Sequence, residues 1–228
     1  MIRKLGKTLE LAKESRVTII AGRTPYHLMC TPENLIELAV GFIISEGIAK
    51  SVDEIEISKV EDNLIYVKMN GEHSSTTITS SGCIGVFRER EEIPKVKAGE
   101  KFTLEEVENA LQYLETEEYR RTRGYHTAVI VSKNGIVSRM HDVGRHNAVD
   151  KAIGSLLLKG VEPGKVFLLL SGRISRGMVM KCARVGIPLI ASKAAILDSA
   201  IEVCEKSGIA AVSFATNIAV EGEALEHD

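Results

Sequence analysis

Val166-Phe167-Leu168-Leu169-Leu170, followed at once by Ser171-Gly172-Arg173-Ile174-Ser175-Arg176, decides the fold. Five apolar residues without alternation fit a strand covered on both faces, and the small polar turn after them ends it before a helical pattern begins. Two more runs of this kind follow, Ile187–Ala191 and Ala210–Phe214. Apolar spacing predicts a helix over ~145–158, a strand over ~165–170, a helix over ~175–185, a strand over ~187–191, a helix over ~198–207 and a strand over ~209–214. This alternation predicts an α/β half with parallel strands between helical layers. Upstream, Thr127–Ser132 and Ile136–Met140 flank Lys133-Asn134-Gly135, which predicts a hairpin closed by a type I′ turn.

The N-terminal half reads differently. A strand is expected at Val17–Ala21. Thr31-Pro32-Glu33-Asn34 then opens a helix, with Thr31 as N-cap, Pro32 at the first helical position and Gly47 as the stop. Short β-like runs at Glu54–Ile57, Leu64–Lys68 and Thr76–Thr79 suggest a small sheet, and Gly82–Gly99 reads as a loop. Thr103-x-x-Glu106 is a capping box that begins a second helix, and the polar stretch Glu115–Arg123 links the halves. The division expected is an α+β part over 1–120 and an α/β domain over 121–228.

Composition bounds the function. The 228 residues are 44% hydrophobic, enough for a substantial core, and the formal charge of −2 gives no field that would draw the chain to nucleic acid or an anionic membrane. The N-terminus lacks a signal-type apolar core, and no run approaches the ~20 apolar residues of a membrane span. The chain reads as cytoplasmic and complete. The four cysteines, Cys30, Cys83, Cys182 and Cys204, form no C-x-x-C pair, which argues against a zinc site and a disulfide scaffold.

In an α/β sheet, ligands collect beyond the carboxyl ends of the strands. Four turns there are rich in polar groups: His141-Asp142-Val143-Gly144-Arg145-His146-Asn147, Ser171–Arg176, Ser192-Lys193 and Thr216-Asn217. Read singly, Ser175 and Asn147 are helix caps, the glycines make turns and the arginines form surface ion pairs. Read together, Gly144 and Gly172 let amides approach an anion while Arg145, Arg173, Arg176 and Lys193 supply charge, which suits a phosphate or pyrophosphate and predicts a nucleotide-like ligand. His141 and His146 lack the H-x-E and P-C-x-x-C context of zinc deaminases, whose fold the second half otherwise resembles, and are assigned ligand hydrogen bonding; no metal is expected. Asp150 suits either amide capping or a guanine N–H pair. Cys83 lies among small residues in Thr79-Ser80-Ser81-Gly82-Cys83-Ile84-Gly85, a context that fits either an accessible, nucleophile-like thiol or an inert cysteine at a strand end. Cys182 and Cys204 fit the buried faces of helices, and Cys30 fits packing at a helix entry.

Arg23-Thr24-Pro25, Cys30-Thr31-Pro32, Glu37–Phe42, Ser45-Glu46-Gly47, Thr79-Ser80-Ser81 with Cys83, His141–Asn147, Ala148-Val149-Asp150-Lys151, Ser171-Gly172-Arg173 with Ser175, and Lys193-Ala194-Ala195 occur in this order. Together they resemble the FdhD/NarQ family of formate dehydrogenase accessory proteins. The resemblance implies a small N-terminal α+β part, a C-terminal cytidine-deaminase-like αβα domain and pairing as a homodimer. It also implies a sulfurtransferase that takes sulfur from a cysteine desulfurase as a persulfide on Cys83. The acceptor is a molybdenum bis(pterin guanine dinucleotide) cofactor, bound as substrate and destined for formate dehydrogenase. The polar turns, with Phe214-Ala215-Thr216-Asn217 carried over as a binding segment, would hold the guanine nucleotide ends. Two departures stand out: many members carry C-G-x-C-G where this chain has one thiol, and the segment after Phe214 lacks a basic residue. Delivery of the cofactor without sulfur transfer is the rival reading, and a nucleotide-processing hydrolase ranks last for want of a zinc set.

Overall fold

The computed structural model describes residue 6, residues 9–70 and residues 92–226. The expected strand Thr76–Thr79 and the loop carrying Cys83 lie outside the described residues. In the first half, β1 (Ser15–Ala21), β2 (Thr24–Cys30), β3 (Ile55–Glu61) and β4 (Leu64–Met69) form a sheet of order β2-β1-β4-β3. Tyr26, Leu28 and Cys30 alternate inward along β2 with Val17 and Ile19 of β1, and one helix, α1 (Leu35–Ser45), covers them. Pro25 is tolerated because β2 is an edge strand.

The second half begins with α2 (Leu104–Asn109), opened by the expected capping box: Thr103 Oγ1 accepts from the Glu106 N–H and the Glu106 carboxylate accepts from the Thr103 N–H. A 3₁₀ turn over Ala110–Leu114 and α3 (Glu117–Thr122) follow. The larger sheet contains β5 (His126–Ser132), β6 (Gly135–Asp142), β7 (Val166–Leu170), β8 (Leu189–Ser192), β9 (Ala210–Ser213) and β10 (Ile218–Val220), in the order β10-β9-β8-β7-β5-β6. Strands β7, β8 and β9 are parallel, as their unbroken apolar runs require; β5 is antiparallel to both β6 and β7, and β10 to β9. Helices α4 (Arg145–Leu158), α5 (Arg176–Val185) and α6 (Asp198–Ser207) cover one face, packing on Ala128, Ile130, Leu168, Ile190 and Ala211. Phe102, Val107, Ala110 and Leu114 cover the other, packing on Val129, Phe167, Leu169, Leu189 and Val212. The result is the expected α/β architecture of three layers, αβα, with a smaller α+β part.

Two local expectations fail. Thr31 does not cap α1: Asn34 holds the N-cap position at φ 53° and makes no side-chain cap bond. The hairpin is not type I′, which needs positive φ at both loop residues; positive φ falls on Gly135 (φ 102°) instead, while Lys133 and Asn134 stay negative.

The two parts meet along α1 and α4. A side-chain carbon at Gly41 would stand 1.7 Å from the Asp150 carbonyl oxygen, and one at Gly154 1.9 Å from the Glu37 carbonyl oxygen. Both positions therefore admit only hydrogen, and the helix backbones touch there.

Candidate functional site

The carboxyl ends of β6, β7, β8 and β9 lie at one rim of the larger sheet, joined there by the start of β5. Short hydrogen bonds stitch their turns into a ledge. Ser171 Oγ accepts from the Thr127 N–H at 2.9 Å, and Ser192 Oγ donates to the Gly172 carbonyl at 2.6 Å. Ser213 Oγ donates to the Ala194 carbonyl at 2.8 Å and Thr216 Oγ1 to Ser213 Oγ at 2.7 Å. Ile174 and Ile196 add a parallel backbone bridge between two turns. Arg173, Lys193, Ala215, Thr216 and Asn217 are exposed along the ledge, and Phe214 is half-buried against the core behind it.

A cleft of about 280 Å³ opens at this rim, lined by Leu114, Tyr119, Arg123, Gly124, Tyr125, His126, Thr127, Ser171 and Lys193. Lys193 Nζ sits 5.5 Å from the centre of the Tyr119 ring and 3.4 Å from Glu115 Oε1. The Arg123 guanidinium lies 5.0 Å from the same ring. His126 Nδ1 is 3.4 Å from Ser171 Oγ; burial first, and then the Arg145 charge, holds the imidazole below its ordinary pKa. Aromatic faces beside cations suit a flat, electron-rich base with an anionic tail. The sequence reading missed Tyr119, Arg123, Tyr125 and His126. The first two belong to the polar stretch Glu115–Arg123, whose sequence carries no apolar periodicity. His126 opens a strand rather than following one, and β5, running antiparallel to β7, brings that first residue to the rim.

Other ligand candidates sit beneath the ledge. Asp142 is fully buried: Oδ1 accepts from the Gly144 N–H (2.8 Å) and Asn147 Nδ2 (3.1 Å), while Oδ2 accepts from the Thr31 N–H (3.0 Å) and pairs with Lys151 Nζ (2.7 Å). Asn147 Nδ2 also donates to the Met29 carbonyl. Asp150 accepts from Ser45 Oγ (2.6 Å) and Lys181 Nζ (2.7 Å), and Lys181 pairs in turn with Glu46. Burial outweighs those partners and holds the Asp150 carboxyl above the ordinary range. These side chains brace the start and flank of α4. Asn147 Nδ2 fills the place of a side chain at Gly144, 2.7 Å from where its first carbon would stand. The Arg145 stem does the same at Gly172, at 3.1 Å.

Arg145 and His146 open α4 facing the two ends of the turn after β7: His146 Cε1 lies 3.2 Å from a carbon built at Gly177. Arg145 Nε and His146 Nδ1 are buried and make no hydrogen bond among the described residues. Burial, then the Lys181 and Arg145 charges, pushes His146 down to about 3, so its imidazole stays neutral. Ser175 holds the N-cap position of α5 without a side-chain cap bond. His141 lies at the outer edge, its Nε2 3.5 Å from Glu33 Oε2 and its ring 4.8 Å from that of Tyr125.

Cys30, Cys182 and Cys204 are buried, as expected of packing residues. Burial pushes the Cys30 and Cys204 thiols up to about 12 and raises Cys182 further. Among the described residues no group of three His, Cys, Asp or Glu side chains is arranged to hold a metal ion, and no helix is long and apolar enough to cross a membrane.

Comparison with known proteins gives one consistent answer. A protein of Shouchella clausii named sulfur carrier protein FdhD is 30% identical over 232 residues, covering 91% of this chain and 85% of its own. A protein of the same name from Sulfolobus acidocaldarius is 35% identical over 197 residues, covering 82% and 78%. The crystal structure of a formate dehydrogenase accessory protein from Desulfotalea psychrophila shares the fold, with a TM-score of 0.78 at 24% identity over 95% of this chain and 90% of that one. The FdhD/NarQ family profile matches residues 12–221, and the chain therefore belongs to the FdhD/NarQ family.

Proposed function

We propose that this protein is a cytoplasmic sulfurtransferase, acting as a homodimer. Its Cys83 thiolate takes the terminal sulfur of a cysteine desulfurase's persulfide, leaving a persulfide on Cys83 and a thiolate on the donor. The S–S bond of the Cys83 persulfide then breaks, its terminal sulfur passing to a molybdenum bis(pterin guanine dinucleotide) cofactor held at the ledge and destined for formate dehydrogenase. Cys83 leaves as thiolate, and the reduced metal of this substrate supplies the two electrons that take the sulfur to the sulfide level. The guanine base lies in the cleft between Tyr119, Tyr125 and His126. Lys193, Arg145, Arg173, Ser171 and Ser175 face its phosphates, with Thr216 and Asn217 at the far end. Asp142, Asn147 and Asp150 hold the turns in place rather than touch the ligand.

One observation carries this reading: a cleft with aromatic walls and cationic neighbours opens at the rim beside the turns of Ser171 and Lys193, in a chain whose relatives are named sulfur carriers. The thiol chemistry supports Cys83. A nucleophilic sulfur must ionise and be reached, and each cysteine among the described residues is buried with a raised pKa.

The test is to load the protein from a cysteine desulfurase supplied with isotopically labelled cysteine, digest it without reductant and read the peptides by mass spectrometry. One added labelled sulfur is expected on the peptide containing Cys83, and none in Cys83→Ala. Label on Cys30, Cys182 or Cys204 contradicts the assignment. No label, in a protein that still binds a guanine nucleotide, favours delivery of the cofactor without sulfur transfer.

A further inference from the structure

Thr31 is fully buried, and its N–H, hydroxyl and carbonyl each bond to the other half of the molecule, the carbonyl also accepting from the Glu33 N–H at 2.8 Å beside it. Its N–H donates to Asp142 Oδ2 at 3.0 Å, its Oγ1 accepts from the Val143 N–H at 3.2 Å, and its carbonyl accepts from Lys151 Nζ at 2.8 Å. On either side, the Met29 carbonyl accepts from Asn147 Nδ2 at 2.9 Å and Glu33 Oε2 lies 3.5 Å from His141 Nε2. The segment from Met29 to Glu33 thus grips the whole turn from which α4 starts. None of this serves the helix beside it, because the N-cap of α1 is Asn34.

From this geometry we infer that Thr31 is a positioning residue for the ledge: it fixes the turn Asp142–Gly144 and thereby aims Arg145 and His146 at the ligand. The inference rests on the reading of the ledge as a guanine nucleotide site. That turn is held by hydrogen bonds from three directions. Gly144 is tied to Asp142, Asp142 to Lys151 and Thr31, and Val143 to Thr31 alone among the hydrogen bonds found. Removing the Thr31 hydroxyl leaves the part-buried Val143 N–H without its acceptor one residue before the N-cap Gly144, so the turn shifts to satisfy it. A rim group displaced by a fraction of an ångström loses its contact with a ligand while the fold survives. The N-terminal part would thus be a working piece of the binding site, although the cleft itself lies in the second half.

The test uses the full chain and guanosine diphosphate as probe, with affinity measured by calorimetry and folding by Tm. Thr31→Val keeps the shape and removes the hydroxyl; it is expected to weaken binding roughly three- to tenfold, the worth of one neutral hydrogen bond. Thr31→Ser restores the acceptor and is expected to bind within about twofold of the wild type. Ile19→Val, in the core of the small sheet, provides a control of lowered Tm with unchanged affinity. Should Thr31→Val not fold, Thr31→Ala takes its place with the same expectation. Unchanged affinity on losing the hydroxyl overturns the inference while leaving the ledge intact as a nucleotide site. So does equal weakening in Thr31→Ser, or in Ile19→Val. A wild-type protein that does not bind the nucleotide overturns the reading of the ledge itself.

Discussion

His146 shows how burial sets what a side chain can do. Its pKa falls from the ordinary 6.5 to about 3, because burial and then the Lys181 and Arg145 charges oppose a second proton. With so low a pKa the imidazole stays uncharged near neutral pH and does not titrate there. The sign of the linked stability follows. The unfolded chain takes up a proton below about 6.5 that the native imidazole refuses until about 3, so the stability tied to His146 is complete above 6.5 and is lost as pH falls through that window. Replacing it with Gln is expected to flatten the decline of unfolding free energy between pH 6 and 4 by up to about 1.4 kcal/mol per pH unit. Denaturant titrations at each pH measure this, and an unchanged slope would show that the native imidazole protonates normally. At this scale the sequence was legible in type and not in partner. Asp142 and Asn147 were read as ligand groups because they sit in a polar turn, yet their partners Thr31 and Met29 lie more than a hundred positions away. Thr31 itself was read by the local rule for helix starts, which says nothing of a longer-range claim on the same hydroxyl.

The elements that could be read were those whose burial is written as an unbroken apolar run. Strands β7, β8 and β9 and helices α4, α5 and α6 fall within a few residues of expectation, because a strand between two helical layers can carry little else. β2 was missed for the converse reason: Pro25 and His27 interrupt its appearance, although an edge strand tolerates both and Tyr26, Leu28 and Cys30 still alternate inward. The contact between α1 and α4 was hidden too, with one clue in plain view. Gly154 lies in the interior of a fourteen-residue helix, where glycine costs roughly 1 kcal/mol against alanine and so signals a close neighbour. Gly154→Ala would drive a carbon to 1.9 Å from the Glu37 carbonyl oxygen and force the helices apart. It is expected to destabilise the protein by about 3 kcal/mol or more, measured by chemical denaturation. A change near zero would mean the two helices are not packed at this distance.

For the whole molecule, a formal charge of −2 supplies no general attraction for an anion, so recognition has to be built where turns converge. The larger sheet runs β6, β7, β8 and β9 to one rim and reverses β5, which brings His126 and the cleft beside the ledge. The rim where the polar turns gather was therefore legible from the order of strands and turns, while the aromatic wall of the cleft beside it was not. Tyr119 comes from α3 and Arg123 from its C-cap; α3 is a six-residue helix whose short, charged sequence carries no periodic signal. The direct test is a crystal structure of the full chain soaked with guanosine diphosphate. The base is expected between Tyr119, Tyr125 and His126, with the phosphates on the Lys193 and Arg145 side of the ledge. Nucleotide density at the opposite end of the sheet, with the cleft left empty, would contradict it.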